Sequence, residues 1–168
     1  SAREYINRES HYFRGERYLL EIESTSQASY IELTPQKIVL HMNKLASEST
    51  RHRLVLDFYR SSLKKEIPAI IAAYEPRLGV QVEEFGVKQM KTRWGTCNPD
   101  AGRIWINLEL AKKPPTCLEY IVVHEMAHLI ERSHNQRFTE LMDAHLPLWR
   151  KYREQLNRLP VRHEHWEY

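Results

Sequence analysis

The stretch Tyr120-Ile-Val-Val-His-Glu-Met-Ala-His-Leu-Ile-Glu-Arg-Ser-His134 decides how the chain is interpreted. Within it, His124 and His128 enclose Glu125 in the H-E-x-x-H pattern. Residues four apart on an α-helix lie on one face about one turn apart, so both imidazoles can reach one metal ion. Glu125 lies roughly 100° further round the helix, close enough to contact a water on that ion. The pattern therefore predicts a helix that carries a metal site, with zinc as the expected ion.

A third ligand is needed, because a catalytic zinc site takes three protein ligands and keeps one position open. Our candidate is His134. On an unbroken helix it would point roughly 100° away from the other two imidazoles, so we expect the helix to end near Arg132 or Ser133. Asn135 is a good N-cap for the helix that follows. Glu131, on the metal-binding face, is a rival ligand, although we expect it to be exposed or to support a ligand.

The apolar residues of this helix cover most of its circumference, which predicts that the helix is buried. They are Leu118, Ile121, Val122, Val123, Met126, Ala127, Leu129 and Ile130. The alternative interpretation is a set of structural histidines that make only hydrogen bonds. Burying two imidazoles and two carboxylates without a further partner costs too much free energy, and we therefore favour a metal ion.

The composition is that of an ordinary single domain. The chain has 168 residues, 42% hydrophobic and 28% charged, and we treat residues 1–168 as one domain. A formal net charge of +3 does not indicate nucleic acid as a partner. Cys97 and Cys117 have neither disulfide-framework nor zinc-knuckle spacing, and two reduced thiols favour a cytoplasmic protein. No apolar run is long enough to cross a membrane, so we expect no membrane partner.

The order of apolar patterns predicts an α+β fold. After a lead-in without clear structure, residues 1–45 predict an antiparallel β-meander with strands at Arg17–Glu23, Tyr30–Leu33 and Lys37–Met42. From about residue 49 to residue 73 the period is helical, and Pro68 is expected to kink or split this long helix. A small antiparallel sheet is expected between Gly79 and Leu108. Two amphipathic helices follow the metal-site helix, and the tail histidines His163 and His165 are poor metal candidates.

With these motifs assembled, the chain resembles the YgjP-like branch of the SprT-like, zincin metallopeptidases. The resemblance rests on four blocks in order: Lys91–Cys97, Gly102–Leu108, His124–His128 and His134–Phe138. It implies a zincin-like α+β fold, zinc held by the three histidines, and Glu125 as general base. Four positions in the first two blocks are our candidate substrate-binding residues: Lys91, Arg93, Trp94 and Asn107.

Three functions fit these expectations. The first is a zinc metallopeptidase in which Glu125 activates water and the strand Arg103–Leu108 pairs with an extended peptide. The second, implied by an activity attributed to a relative in the family that the chain resembles, is a metal-dependent pyrophosphatase acting on UTP. Lys91 and Arg93 would then bind phosphates. The third is a zinc-stabilised domain that binds DNA, and the lack of a concentrated basic patch argues against it. Another divalent metal can replace zinc, since histidine suits several.

Overall fold

The structure, a computed structural model, describes residues 9–158 and begins with a four-stranded sheet. The strand order is β1-β2-β4-β3. The strands are β1 (Ser10–Phe13), β2 (Glu16–Thr25), β3 (Tyr30–Leu33) and β4 (Lys37–Asn43). The tail histidines His163 and His165 lie outside the described residues.

The meander predicted for residues 1–45 needs two corrections. β2 and β4 run parallel, while β3 pairs antiparallel with the other edge of β4. β4 takes an inner place because its Ile38, Val39 and Leu40 are all buried, whereas no residue of β3 is buried. In addition, β1 lies in the segment that was expected to have no clear structure.

The turn between β1 and β2 docks the first sheet onto the rest of the protein. Arg14 and Gly15 both have positive φ, 53° and 82°, as two-residue hairpin turns often require. The N–H groups of the turn donate to the carbonyl oxygens of Ala111 and Lys112, at 2.8 and 3.0 Å. A Cβ on Gly15 would lie 2.8 Å from Cγ of Pro114, so this close approach requires glycine. The first sheet is thereby attached beside the start of the metal-site helix.

A single helix of 31 residues, α1 (Glu48–Leu78), follows the first sheet. It is not split at Pro68, contrary to one of the predicted outcomes. Pro68 is exposed, so the carbonyl group that loses its N–H partner there lies on the solvent side of the helix. α1 ends at Gly79, whose φ of 68° forms a left-handed C-cap. Its buried side chains form one stripe: Val55, Tyr59, Leu63, Ile67, Ile71, Tyr74 and Leu78.

The second sheet has three strands in the order β5-β7-β6. They are β5 (Glu84–Lys88), β6 (Gly95–Asn98) and β7 (Arg103–Asn107). The sheet is mixed rather than antiparallel as predicted, because β5 runs parallel to β7 and β6 runs antiparallel to it. β7 is central, and its Ile104 and Ile106 are fully buried. β6 is consequently an edge strand.

α2 (Pro115–Ala127), the helix predicted to carry the metal site, packs against α1, β6 and β7. A short 3-10 helix, Leu108–Lys112, leads into it, and Pro115 takes the first helical position, which suits proline. Residues 120–127 are all buried, as their apolar composition predicted. Helices α3 (Gln136–His145) and α4 (Trp149–Leu156) follow, which confirms the α+β class. Within residues 9–158, no helix has both the length and the apolar composition that crossing a membrane requires.

α2 ends at Ala127, earlier than the predicted end near Arg132 or Ser133. In the next turn the N–H groups of residues 129 and 130 bond to carbonyl groups three residues back, both at 3.0 Å. Helices commonly end by tightening in this way, and no glycine or proline is needed to mark the end. The chain then reverses into α3, where Asn135 is the predicted N-cap and accepts the N–H of Phe138 at 3.1 Å.

Candidate metal centre and active-site cleft

Three histidine side chains come together at the end of α2. Nε2 of His134 lies 3.1 Å from Nε2 of His124 and 2.9 Å from Nε2 of His128. One nitrogen from each residue lies within 4.8 Å of the other two. In a tetrahedral site with Zn–N bonds of about 2.0–2.1 Å, neighbouring ligand atoms lie about 3.3 Å apart. The three nitrogens therefore fit the donor set and nearly the spacing that one such ion needs.

The orientation of His128 is set by the backbone that follows it. Its Nδ1 donates to the carbonyl oxygen of Glu131 at 2.9 Å, which leaves Nε2 as the unprotonated nitrogen. The carboxylate of Glu131 accepts the N–H of Ser133 at 3.3 Å and lies 3.6 Å from the guanidinium of Arg137. Glu131, the rival ligand, is not part of the histidine cluster. Its backbone rather than its side chain supports the site.

The ring of Phe138 packs against all three imidazoles. Its centroid lies 4.9 Å from that of His124, 4.5 Å from that of His128 and 5.1 Å from that of His134. Phe138 is buried and stands in the first turn of α3, next to the Asn135 cap. A rigid apolar ring in this place restricts the rotamers of the histidines around it. Phe138 thus holds the three rings in one arrangement.

Burial favours the neutral form of His124 and His128. It lowers the pKa of His124 well below the ordinary value, and the neighbouring His128 and His134 lower that pKa further. Burial also lowers the pKa of His128, against the opposite effect of its bond to the carbonyl of Glu131. The neutral imidazole is the form that binds a metal ion. The fold therefore prepares these side chains as ligands.

Glu125 lies beneath β6 and is only 2% exposed. Its Oε2 has no hydrogen-bond partner among the described residues. Burial raises the pKa of Glu125 to about 8, and the positive charge of Arg93 acts in the opposite direction. A Cβ on Gly95 would lie 3.0 Å from both Cγ and Oε2 of Glu125, which is tighter than most real contacts. The glycine thus makes room for a buried carboxylate whose free oxygen requires a donor such as a water molecule.

The histidines and Glu125 open into a cleft of about 590 Å³. One wall of the cleft comes from the loop before β6 and from β6 itself, and the opposite wall comes from α2 and the loop that carries His134. Within the described sheet, β7 has a neighbour on each side and β6 has only β7. The expectation that Arg103–Leu108 pairs with a peptide is therefore wrong, since β7 has no free edge. β6 is the strand that offers one to a ligand in the cleft.

The four predicted substrate-binding residues lie in different environments. Arg93 lines the cleft, whereas Lys91 is exposed and is not among the residues that line it. Trp94 is 1% exposed and belongs to the core. Asn107 is fully buried, and its Nδ2 donates to the carbonyl groups of Met90 at 3.1 Å and Arg93 at 2.7 Å. Trp94 and Asn107 therefore shape the loop before β6, and Arg93 alone of the four faces the cleft.

The sequence reasoning gave no role to Gly95 or Phe138, although both lie in the quoted motifs. In both cases the sequence contains a feature that could have indicated the role. A glycine directly after a core tryptophan, at the start of a strand, often marks a close approach of another group to the backbone. For Phe138, the predicted cap at Asn135 places a side chain three residues later in the first helical turn, where it can face back toward His134.

Comparisons with known proteins place this geometry in a family. No curated protein matches the chain. One similar solved structure is the metallopeptidase zymogen of Pyrococcus abyssi abylysin, with 17% identity over 54% of this chain and 90% of that chain, and a TM-score of 0.49. Another is the metallopeptidase zymogen of Methanocaldococcus jannaschii jannalysin, with 16% identity over 54% of this chain and 93% of that chain, and a TM-score of 0.47. The family model described as YgjP-like, metallopeptidase domain, matches residues 1–159, and the chain therefore belongs to the YgjP-like family.

Proposed function

We propose that this protein is a zinc metallopeptidase in which His124, His128 and His134 hold the ion and Glu125 is the general base. The observation that carries the proposal is the group of three Nε2 atoms beside a buried carboxylate with an unpaired oxygen. Membership of a family whose domain is described as a metallopeptidase domain supports the same reaction class. Zinc is proposed because three imidazoles are a common donor set of catalytic zinc sites.

The chain's own residues divide the work of peptide hydrolysis. The three histidines would hold the ion, which would supply the Lewis acidity that polarises a scissile carbonyl and makes a water molecule acidic at neutral pH. Glu125, which lines the same cleft and has an unpaired Oε2, accepts the proton of the attacking water and passes it to the leaving amine. Arg93 favours the ionised carboxylate that this role requires.

The open edge of β6 supports a peptide as the substrate. Its residues Thr96 and Cys97 line the cleft beside Glu125. A peptide added as a further strand would make main-chain hydrogen bonds that do not depend on its sequence. It would also hold the scissile bond in extended form beside the histidines, which is the positioning that hydrolysis needs.

A UTP pyrophosphatase remains the alternative function. Arg93 favours it in part, because a guanidinium in the cleft can bind a phosphate group. Lys91, the second expected phosphate ligand, is not among the lining residues. The triphosphate would bring Mg²⁺ as its own counter-ion rather than into a cage of imidazoles.

The test measures metal content and turnover on the same preparations. Wild type, Glu125→Gln and Glu131→Gln are assayed on an unstructured peptide and on UTP, and the zinc bound per protein is measured for each. We expect wild type to bind one zinc and cleave the peptide, and both variants to keep the zinc. Glu125→Gln should lose roughly 10²- to 10⁴-fold in turnover, since general-base catalysis contributes about that much.

The matched variant Glu131→Gln distinguishes the role of the Glu131 carboxylate from that of the Glu125 carboxylate. It should leave turnover nearly unchanged, because a glutamine can still accept the N–H of Ser133. Loss of zinc from Glu131→Gln would make Glu131 a ligand. Peptide cleavage that survives Glu125→Gln would remove Glu125 from the role of base, and hydrolysis of UTP alone would replace the peptidase with the alternative.

A further inference from the structure

The cleft is unevenly charged. Among the described residues that line it, Glu125 is the one carboxylate, and it is buried, while two arginines, Arg93 and Arg132, stand at the exposed walls. Arg132 is already paired with the carboxylate of Asp100. Within residues 9–158, the guanidinium of Arg93 is in none of the salt bridges. Arg93 is thus the cation of the cleft wall that is available to a ligand.

The backbone that carries Arg93 is held firmly. Nδ2 of the buried Asn107 donates to the carbonyl oxygen of Arg93 at 2.7 Å, and the backbone N–H of Asn107 donates to that of Trp94 at 2.9 Å. Trp94, the next residue, is anchored in the core. Gly95 then begins β6, the strand with the open edge. An exposed guanidinium on a fixed backbone, two residues before that edge, loses little conformational freedom when it binds.

We propose that Arg93 makes the enzyme prefer peptides that carry a carboxylate within a few residues of the scissile bond. The inference rests on the proposed peptidase function. A peptide on the β6 edge runs past Arg93, and a planar guanidinium binds a carboxylate with two parallel hydrogen bonds. The carboxylate belongs to an aspartate or glutamate side chain or to the free C-terminus of the peptide. Lys91, exposed but outside the cleft, makes no such contact.

The test uses the zinc-loaded full chain and one parent peptide that wild type cleaves. At each of three positions on either side of the scissile bond, glutamate, glutamine or lysine is placed in turn, and a free C-terminus is compared with an amidated one. The readout is the ratio of kcat/KM between the acidic peptide and its neutral counterpart. Wild type should prefer the carboxylate by roughly tenfold at one position or at the terminus. A tenfold preference is at the lower end of what a charge-assisted hydrogen bond contributes, as expected near solvent.

Three variants identify the residue responsible for this preference. Arg93→Gln should bring the ratio to about one, and Arg93→Glu should reverse it in favour of lysine. Lys91→Gln, the matched control, should leave it unchanged. The ratio is the appropriate readout because loss of the Arg93 charge also affects the ionisation of Glu125. That effect slows the cleavage of all substrates alike, so it cancels in the ratio. The preference should also decline as salt is raised, since salt screens an exposed ion pair.

The outcomes separate this inference from the proposed function. If wild type cleaves no peptide, the peptidase itself is wrong. If it cleaves acidic and neutral peptides equally, or if Arg93→Gln keeps the preference, the peptidase stands and the role of Arg93 falls. Hydrolysis of UTP without any peptide cleavage would assign Arg93 to phosphate and would overturn the inference as well.

Discussion

Replacing Glu125 with glutamine should stabilise the metal-free protein at neutral pH. The ordinary pKa of this carboxyl is 4.5, and burial raises it to about 8 in the fold. Between these values the folded state keeps a proton that the unfolded state has released, so the stability of wild type falls as the pH rises above 4.5. At pH 7 the loss is about 3.5 kcal/mol, from about 2.5 pH units at about 1.4 kcal/mol each. Glutamine has nearly the same shape and does not ionise, so it avoids this loss.

The assay is urea denaturation in the presence of a chelator, followed by tryptophan fluorescence at several values of pH between 5 and 8. The free energy of unfolding of Glu125→Gln minus that of wild type should be below about 1 kcal/mol at pH 5 and should reach about 3.5 kcal/mol at pH 7. Contributions common to both proteins cancel in this difference. Glu140→Gln, which changes an exposed carboxylate of α3, should show no such trend.

A difference that stays flat across this pH range would refute the argument, because it would mean that the fold does not hold the Glu125 carboxyl in its protonated form. A variant less stable than wild type at pH 7 would refute it equally. Added zinc should reduce the gain, since a nearby cation favours the ionised carboxylate of wild type.

Other substitutions test the supports of the site. His134→Ala should weaken zinc binding by more than about 100-fold, which exceeds the usual cost of losing a residue that only hydrogen-bonds to a ligand. The control His145→Ala, on α3, should leave zinc affinity unchanged. Competition with a chelating dye measures both affinities. Gly95→Ala should lower kcat by about tenfold with the zinc content unchanged, because its Cβ would displace the carboxylate of Glu125; equal kcat values would contradict this. Asn107→Ala removes a fully buried side chain together with its bonds to the carbonyl groups of Met90 and Arg93, and should cost about 2–3 kcal/mol in urea denaturation; a cost below about 0.5 kcal/mol would contradict the anchoring role.

The histidine cluster was predictable because its information is local. The four-residue spacing of His124 and His128 determines their shared face on any helix, and the need for a third ligand singled out His134. The three side chains do lie together in the structure, and their binding of a metal stays a prediction. The end of α2 was misplaced because it tightens into 3-10 geometry, which no particular residue type announces.

Strand direction and partner choice were not predictable. Apolar alternation in β2 and β4 tells which face is buried, and it is the same for parallel and antiparallel pairing. The position of β7 between two neighbours depends on contacts distant in sequence, so the strand next to the site helix in sequence was taken for the open edge. Similarly, the spacing of Lys91 and Arg93 in an irregular loop could not tell which of the two faces the cleft.

The turn at Arg14 and Gly15 connects the first sheet mechanically to the candidate metal site. Its two backbone bonds support the 3-10 helix just before α2, and the far end of α2 carries His124 and leads directly into His128. Deleting the first sheet would remove both hydrogen bonds and leave the carbonyl groups of Ala111 and Lys112 without their donors. A fragment beginning at α1 should therefore be less ordered in the first turn of α2 and should bind zinc with lower affinity, although every proposed zinc ligand is still present in it.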